Sequence, residues 1–190
     1  MSFKLLSHPD KLLKDHLFNV REIGLSNFDR HGIFNEYREL LEIVLLFHDL
    51  GKASQYFQDY LNPAKENPNE KYKKHSEISA QWAYIYCHNI LKYDLKNSLI
   101  VYLLIRKHHG SLNNFNDNFT YDLEEEDLLK ISSAIDYTEL RLIYKDLKHV
   151  EILSHKNFVE NVNINFEKKK LRSIKTDLSI SEYYVLNYLF

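Results

Sequence analysis

The chain has one cysteine, Cys87, in 190 residues, so no disulfide can form within it. Glycine and proline are nearly as scarce, at 4 and 3, which leaves little material for tight turns or for breaking helices. Runs of β-branched residues are also rare while leucine is abundant, and this points to an all-α domain. Neither sign of charge dominates. With 25 Lys and Arg against 27 Asp and Glu, the net charge is -2, which argues against binding nucleic acid by bulk charge alone. A local basic strip beside bound cations stays compatible with that balance, because a metal adds positive charge that residue counting misses. The N-terminal stretch MSFKLLSHPDKLLKDHLF has no uninterrupted apolar segment of signal-peptide type. No run approaches the length needed to span a membrane. These absences predict a soluble, cytoplasmic protein, a single domain over 1–190.

Hydrophobic residues make up 44% of the chain, enough for a sizeable core. Pro9, then Leu13, Leu17 and Val20 at helical spacing, predict a helix over 9–24, with a loop over 25–35. The nearly continuous apolar run LLEIVLLF predicts a buried helix over 36–49, with Gly51 placed to end it. A short helix follows around SQYFQDYL, and the polar stretch 62–74 reads as an exposed loop. Ser76 is a candidate N-cap for a helix to about Leu91. Residues 95–109 form a second buried helix, with Gly110 after it, and 111–123 read as a loop. Further helices are expected near 124–134, 137–150, 155–173 and 180–190. The acidic run Glu124–Asp127 reads as a solvated helix start rather than a metal site.

The 10 histidines are the compositional anomaly, and their positions carry the chemistry. His16 shares a helical face with Leu13, Leu17 and Val20, so its imidazole points inward. Taken alone, it reads as a core histidine. His48–Asp49 lies at the end of the first buried run, one turn after Val44 and Leu45. A buried carboxylate is costly unless it is paired or bound to metal. In HDLGK the dipeptide is followed by Lys52, whose ammonium could reach a phosphate. His75, at the start of the next helix, suits a cap, a surface position or a ligand. His108–His109 ends the second buried helix, so two buried helices each deliver a pair of metal-competent groups at a C-terminus. The partial negative charge of a helix C-terminus favours a cation there.

With no cysteine in the set, a zinc-finger type of structural site is disfavoured. Imidazole plus carboxylate suits Mn, Fe, Co, Ni or Zn, with Mg less natural. A bridging Asp with histidines on both sides suits two divalent metal ions. Two metals about 3.5–4 Å apart stabilise the attacking and leaving oxygens in phosphodiester hydrolysis by an activated water.

At these residues the sequence resembles the HD superfamily of metal-dependent phosphohydrolases. It is most similar to the HD nuclease domain of the CRISPR-associated nuclease-helicase of type I systems. The likeness rests on KLLKDHLFNV, LLFHDLGKASQYFQDYL, KHSEISAQWAY and RKHHGSL, and it covers roughly residues 5 to 112. It implies an HD-domain helical bundle with the metal site at its centre, and cleavage of single-stranded DNA in CRISPR interference. The implied partners are a helicase domain or subunit and the CRISPR surveillance complex. It further implies one metal on His16, His48 and Asp49, and a second on Asp49, His75, His108 and His109. Asp49 and Lys52 are then the catalytic candidates, and Lys52 and Ser111 the candidate substrate contacts.

One departure stands out. The family closes the first metal site with an Asp on a late helix. In this sequence EYYVLNYLF resembles the segment before that Asp, and the expected position falls beyond Phe190. This implies a fragment that stops inside an apolar helix. Asp177, in KTDLSIS, is the nearest upstream candidate but reads as a loop residue before a helix. Lys168–Lys170, Arg172 and Lys175 are candidates for guiding a nucleic-acid backbone, or a solvated charge run. Phe115, Phe119 and Tyr121 are candidates for stacking bases, or for packing their loop. Two other readings stand beside this one: a phosphohydrolase of nucleotides or cyclic dinucleotides that uses the same first ligands, and, following from the missing Asp, a non-catalytic module, either a truncated remnant or a protein that docks on CRISPR components.

Overall fold

A computed structural model describes residues 3–31, 35–66, 69–110, 123–147 and 154–162. Among them the architecture is helical, with one small hairpin. In that hairpin β1 (Leu6–His8) pairs antiparallel with β2 (Lys11–Leu12). The helix expected over 9–24 therefore starts at Leu13, and Pro9 lies in the turn, followed by Asp10 at φ 64°. Proline's fixed φ and missing N–H suit a turn as well as a first helical residue, so the residue type does not separate the two.

α1 (Leu13–His31) then runs through most of the segment whose polar residues predict a loop. Leu25 and Phe28 account for this. They continue the buried stripe and pack against Leu41 and Leu45 in a small core of their own.

α2 (Arg38–Phe47) is the buried helix that its apolar run predicts, with Leu40, Leu41 and all of Ile43 to Phe47 buried. It stops at Phe47, not at Gly51, and a 3₁₀ turn follows over Leu50–Ala53. The hydroxyl of Tyr144, fully buried, donates to the carbonyl of Leu46 at 2.7 Å and satisfies one of the carbonyls the helix end leaves open. α3 (Gln55–Leu61) is capped by Ser54, whose hydroxyl accepts from the Phe57 amide.

α4 (Ser76–Ile85) begins one residue after His75, which takes the cap position without a side-chain cap bond. Ser76 is thus not the cap. A π-type turn over Tyr86–Ile90 ends the helix. α5 (Leu95–Lys107), α6 (Glu125–Ser133), α7 (Tyr137–Asp146) and α8 (His155–Asn161) complete the described elements. The acidic run is a helix start: Glu124 and Asp127 form a reciprocal capping box. α7 ends at Asp146, short of the expected 150, and extended backbone at Val162 interrupts the helix expected over 155–173. All but Leu123 of the loop expected over 111–123, the helix expected over 180–190, Ser111, Phe115, Phe119, Tyr121, Asp177 and the basic stretch 168–175 lie outside the described residues.

α4 lies along α5, and α2 packs on both, with α1 laid over α2. Trp82, Tyr102, Tyr144, Phe47 and Phe158 are the largest fully buried side chains of this core. The turn after α2 is tied to the far side of the bundle by Gln55 N–H to Ala134 O (2.8 Å) and Asp136 N–H to Ala53 O (3.1 Å). The C-terminal ends of α2 and α5 and the start of α4 thus come together beside α1. Among the described residues no helix is long and apolar enough to cross a membrane.

Candidate metal centre

Asp49, 1% exposed, lies where these ends converge. Its Oδ2 is 2.7 Å from His16 Nε2, 3.3 Å from His48 Nε2 and 2.8 Å from Lys52 Nζ. Its Oδ1 faces the other way, 3.0 Å from His75 Nε2 and 3.4 Å from His108 Nε2. His109 joins through His75, with Nε2 to Nε2 at 2.8 Å. The structure therefore brings together all six residues of the His and Asp series, drawn from α1, the ends of α2 and α5, and the residue before α4.

Each is positioned by local structure. His16 sits on the buried stripe of α1 between Leu13 and Leu17, both fully buried. His48 and His108 occupy equivalent places, the first residue past a buried helix. Each directs Nδ1 at the carbonyl three residues back, His48 to Leu45 O (2.8 Å) and His108 to Ile105 O (2.5 Å). A carbonyl only accepts, so Nδ1 carries the hydrogen, and Nε2 is left as the atom on the Asp49 side that can ligate a metal. Two helix ends thereby fix two ring tautomers.

The electrostatics match. Burial alone would raise the Asp49 carboxyl, but the imidazoles of His108, His16, His48 and His75 outweigh it and hold the group well below the usual carboxylate range. Burial lowers His75, despite the nearby carboxylate. Burial, His108 and His75 lower His109 to about 4. The carboxylate is therefore ionised and these two rings neutral near pH 7, the forms that bind metal.

The donor set fits divalent ions. Two groups offer ligand atoms within 4.8 Å of one another: Asp49 with His75, His108 and His109, and His16 with His48 and Asp49. Asp49 belongs to both. Two atoms ligating one ion at about 2.1 Å sit roughly 3 Å apart, and the Nε2 pairs of His16 with His48 (3.2 Å) and His75 with His109 (2.8 Å) have that spacing. Asp49 Oδ1 is buried and accepts no well-formed hydrogen bond, so it retains coordinating capacity.

The HD domain family model matches residues 13–141. The chain belongs to the HD-domain family. HD domains are metal-dependent phosphohydrolases, and the matched span of this HD domain runs from the start of α1 into α7, so it contains every residue of the centre. No curated protein matches the chain, and no solved structure does.

Beside the HD centre opens a cleft of about 520 Å³, whose lining includes Lys52, His75 and His109. His8, Phe57, Tyr60 and Lys65 also line it. Sequence reasoning passed over all four. His8 stands edge-to-face against His16, ring centroids 5.2 Å apart. It gets there because Gln58 grips the hairpin, accepting from Leu6 N–H (3.0 Å) and donating to Leu6 O (2.9 Å). Cys87 carries no chemistry here: it is fully buried, and burial pushes its thiol up to about 12.

Proposed function

We propose that this HD domain is a metal-dependent nuclease that cleaves single-stranded DNA, of the kind used in type I CRISPR interference. The observation that carries the proposal is Asp49 shared between two histidine groups, with the buried Lys52 ammonium 2.8 Å away. In this reading Asp49, His16 and His48 hold one ion, and Asp49, His75, His108 and His109 the other. Mn, Fe, Co or Ni suits such donors best. When bound, the ions supply Lewis acidity and an activated water for attack at phosphorus.

The chain's own residues do the rest. The carbonyls of Leu45 and Ile105 hold His48 and His108 in one tautomer, so the ligand nitrogens need no reorientation. Lys52, 2.8 Å from Asp49 and on the lining of the adjacent cleft, would hold a non-bridging phosphate oxygen and offset charge building there. Phe57 and Tyr60 give the cleft beside the centre an apolar wall. A helicase domain or subunit feeding single strands, within a surveillance complex, is the partner this activity needs.

The test is incubation of metal-free and Mn-loaded protein with single-stranded DNA, duplex DNA, nucleoside triphosphates and cyclic dinucleotides. Metal-dependent cleavage of the single strand, lost in Asp49→Ala, supports the proposal. Hydrolysis of the nucleotides with DNA left intact would instead make this a small-molecule phosphohydrolase.

A further inference from the structure

The cleft beside the centre differs from the rest of this slightly acidic chain in its charge. Lys52, Lys65, His8, His75 and His109 line it, and no Asp or Glu does among the described residues. One wall is apolar, built from Pro9, Phe57, Leu61 and Pro63 around Tyr60. Tyr60 is 43% exposed, with the Phe57 ring 5.9 Å from its own. Lys73 covers one face of the Tyr60 ring, its Nζ 4.5 Å from the centroid, and is not among the residues lining the cleft. Lys65 is held only by a loose surface pair, 3.5 Å from Asp59 Oδ1, an interaction that solvent makes weak. Asp59 itself is already engaged by Gln55 at 2.7 Å.

We infer that this cleft is a nucleotide subsite. It takes the unpaired nucleotide next to the scissile phosphate, with its base against Tyr60 and its backbone phosphate at Lys65. The inference rests on the nuclease reading and specifies where that substrate lies. Charge complementarity selects an anion, because Lys52 and Lys65 line the cleft and their carboxylate partners, Asp49 and Asp59, are not among its lining residues. The exposed ring selects a free base face, which stacks on an aromatic side chain whatever its sequence. A base inside a duplex has both faces covered by its neighbours, so the subsite favours single strands. The cleft volume falls within the span of about 300–1,000 Å³ usual for a small-molecule site, room for a nucleotide unit rather than for a helix. Since His75, His109 and Lys52 belong to both cleft and centre, a strand lying in the cleft reaches the centre without a gap.

The experiment compares wild type, Tyr60→Ala, Lys65→Ala, Tyr60→Phe and Lys65→Arg. Binding of a fluorescein-labelled ten-residue oligothymidylate is followed by anisotropy on metal-free protein, and KM and kcat are measured for cleavage by the Mn-loaded form. Each alanine variant is expected to raise Kd and KM about tenfold, with a smaller change in kcat. The Phe and Arg variants should recover most of the binding. Lys65→Ala should also flatten the dependence of log Kd on log salt by roughly 0.7. If both alanine variants bind and cleave the oligonucleotide as wild type does, the subsite is overturned while the nuclease reading stands. If wild type neither binds nor cleaves it, both fall.

Discussion

Lys52 Nζ lies 2.8 Å from Asp49 Oδ2, three residues away, and both side chains are almost wholly buried. The ammonium occupies one side of an oxygen that a metal also needs. Removing it should therefore separate metal binding from turnover. Lys52→Met is expected to bind Mn at least as tightly as wild type, while kcat falls by about 10²-fold, the scale set by loss of a positioned charge donor. Isothermal titration and steady-state kinetics on the same preparation check this. A loss of metal along with activity would make Lys52 a structural group.

Gly51 matters for proximity rather than for ending a helix. A Cβ there would meet Ile78 Cγ2 at 2.3 Å and the His75 carbonyl at 2.5 Å. The Gly51 amide also donates to Ser79 Oγ at 2.8 Å. Gly51→Ala must push the start of α4 away and His75 with it. The expected outcome is a loss of about 1–3 kcal/mol by chemical denaturation. Weaker Mn binding should accompany it, because one ligand has moved.

Much of this arrangement was legible in the sequence, for identifiable reasons. Apolar runs ending in His48–Asp49 and His108–His109 specify buried helices with polar ends, and the structure has both. The convergence of His16 and His75 on the same carboxylate follows from motif resemblance, since spacing alone does not orient α1 or α4 toward α2. The hairpin was not legible. Its strands are two and three residues long, and Pro9 carries no signal separating turn from helix start. Missing the hairpin meant missing His8, and with it the cleft, whose lining comes from segments that meet only in three dimensions. Nor does the chain signal the carbonyl contacts that fix the rings of His48 and His108.

Acid should destabilise the metal-free protein through the histidines of the centre. His109 is lowered from 6.5 to about 4, and His75 is lowered too. Between those values the unfolded chain binds a proton at His109 that the folded chain does not, so stability falls as pH falls through that window. His109 is exposed at the rim, and solvent screening reduces the effect. The melting temperature of the metal-free chain should fall steadily from pH 7 to pH 4.5, and His109→Ala should show a shallower slope. Scanning fluorimetry across buffers of equal ionic strength measures both.

A buried ion pair fastens α4 to α5. Glu77 accepts from Arg106 Nε at 2.6 Å and from the Tyr102 hydroxyl at 2.5 Å, and all three side chains are buried. Removing one partner leaves an uncompensated buried charge, at a cost of about 3–5 kcal/mol. Arg106→Met and Glu77→Leu should each lose stability on that scale in urea denaturation. The pair Glu77→Leu with Arg106→Met should lose less than the sum of the two single changes.

The central claim is that Asp49 organises a divalent metal centre with five histidines. The most direct measurement is metal content by mass spectrometry after Mn loading and gel filtration, on wild type, Asp49→Ala and His109→Ala, with circular dichroism confirming that each is folded. Wild type should retain Mn, Asp49→Ala none, and His109→Ala a reduced amount, because Asp49 serves both groups and His109 only one. Folded Asp49→Ala that retains as much Mn as wild type, or wild type that retains none, would contradict the account.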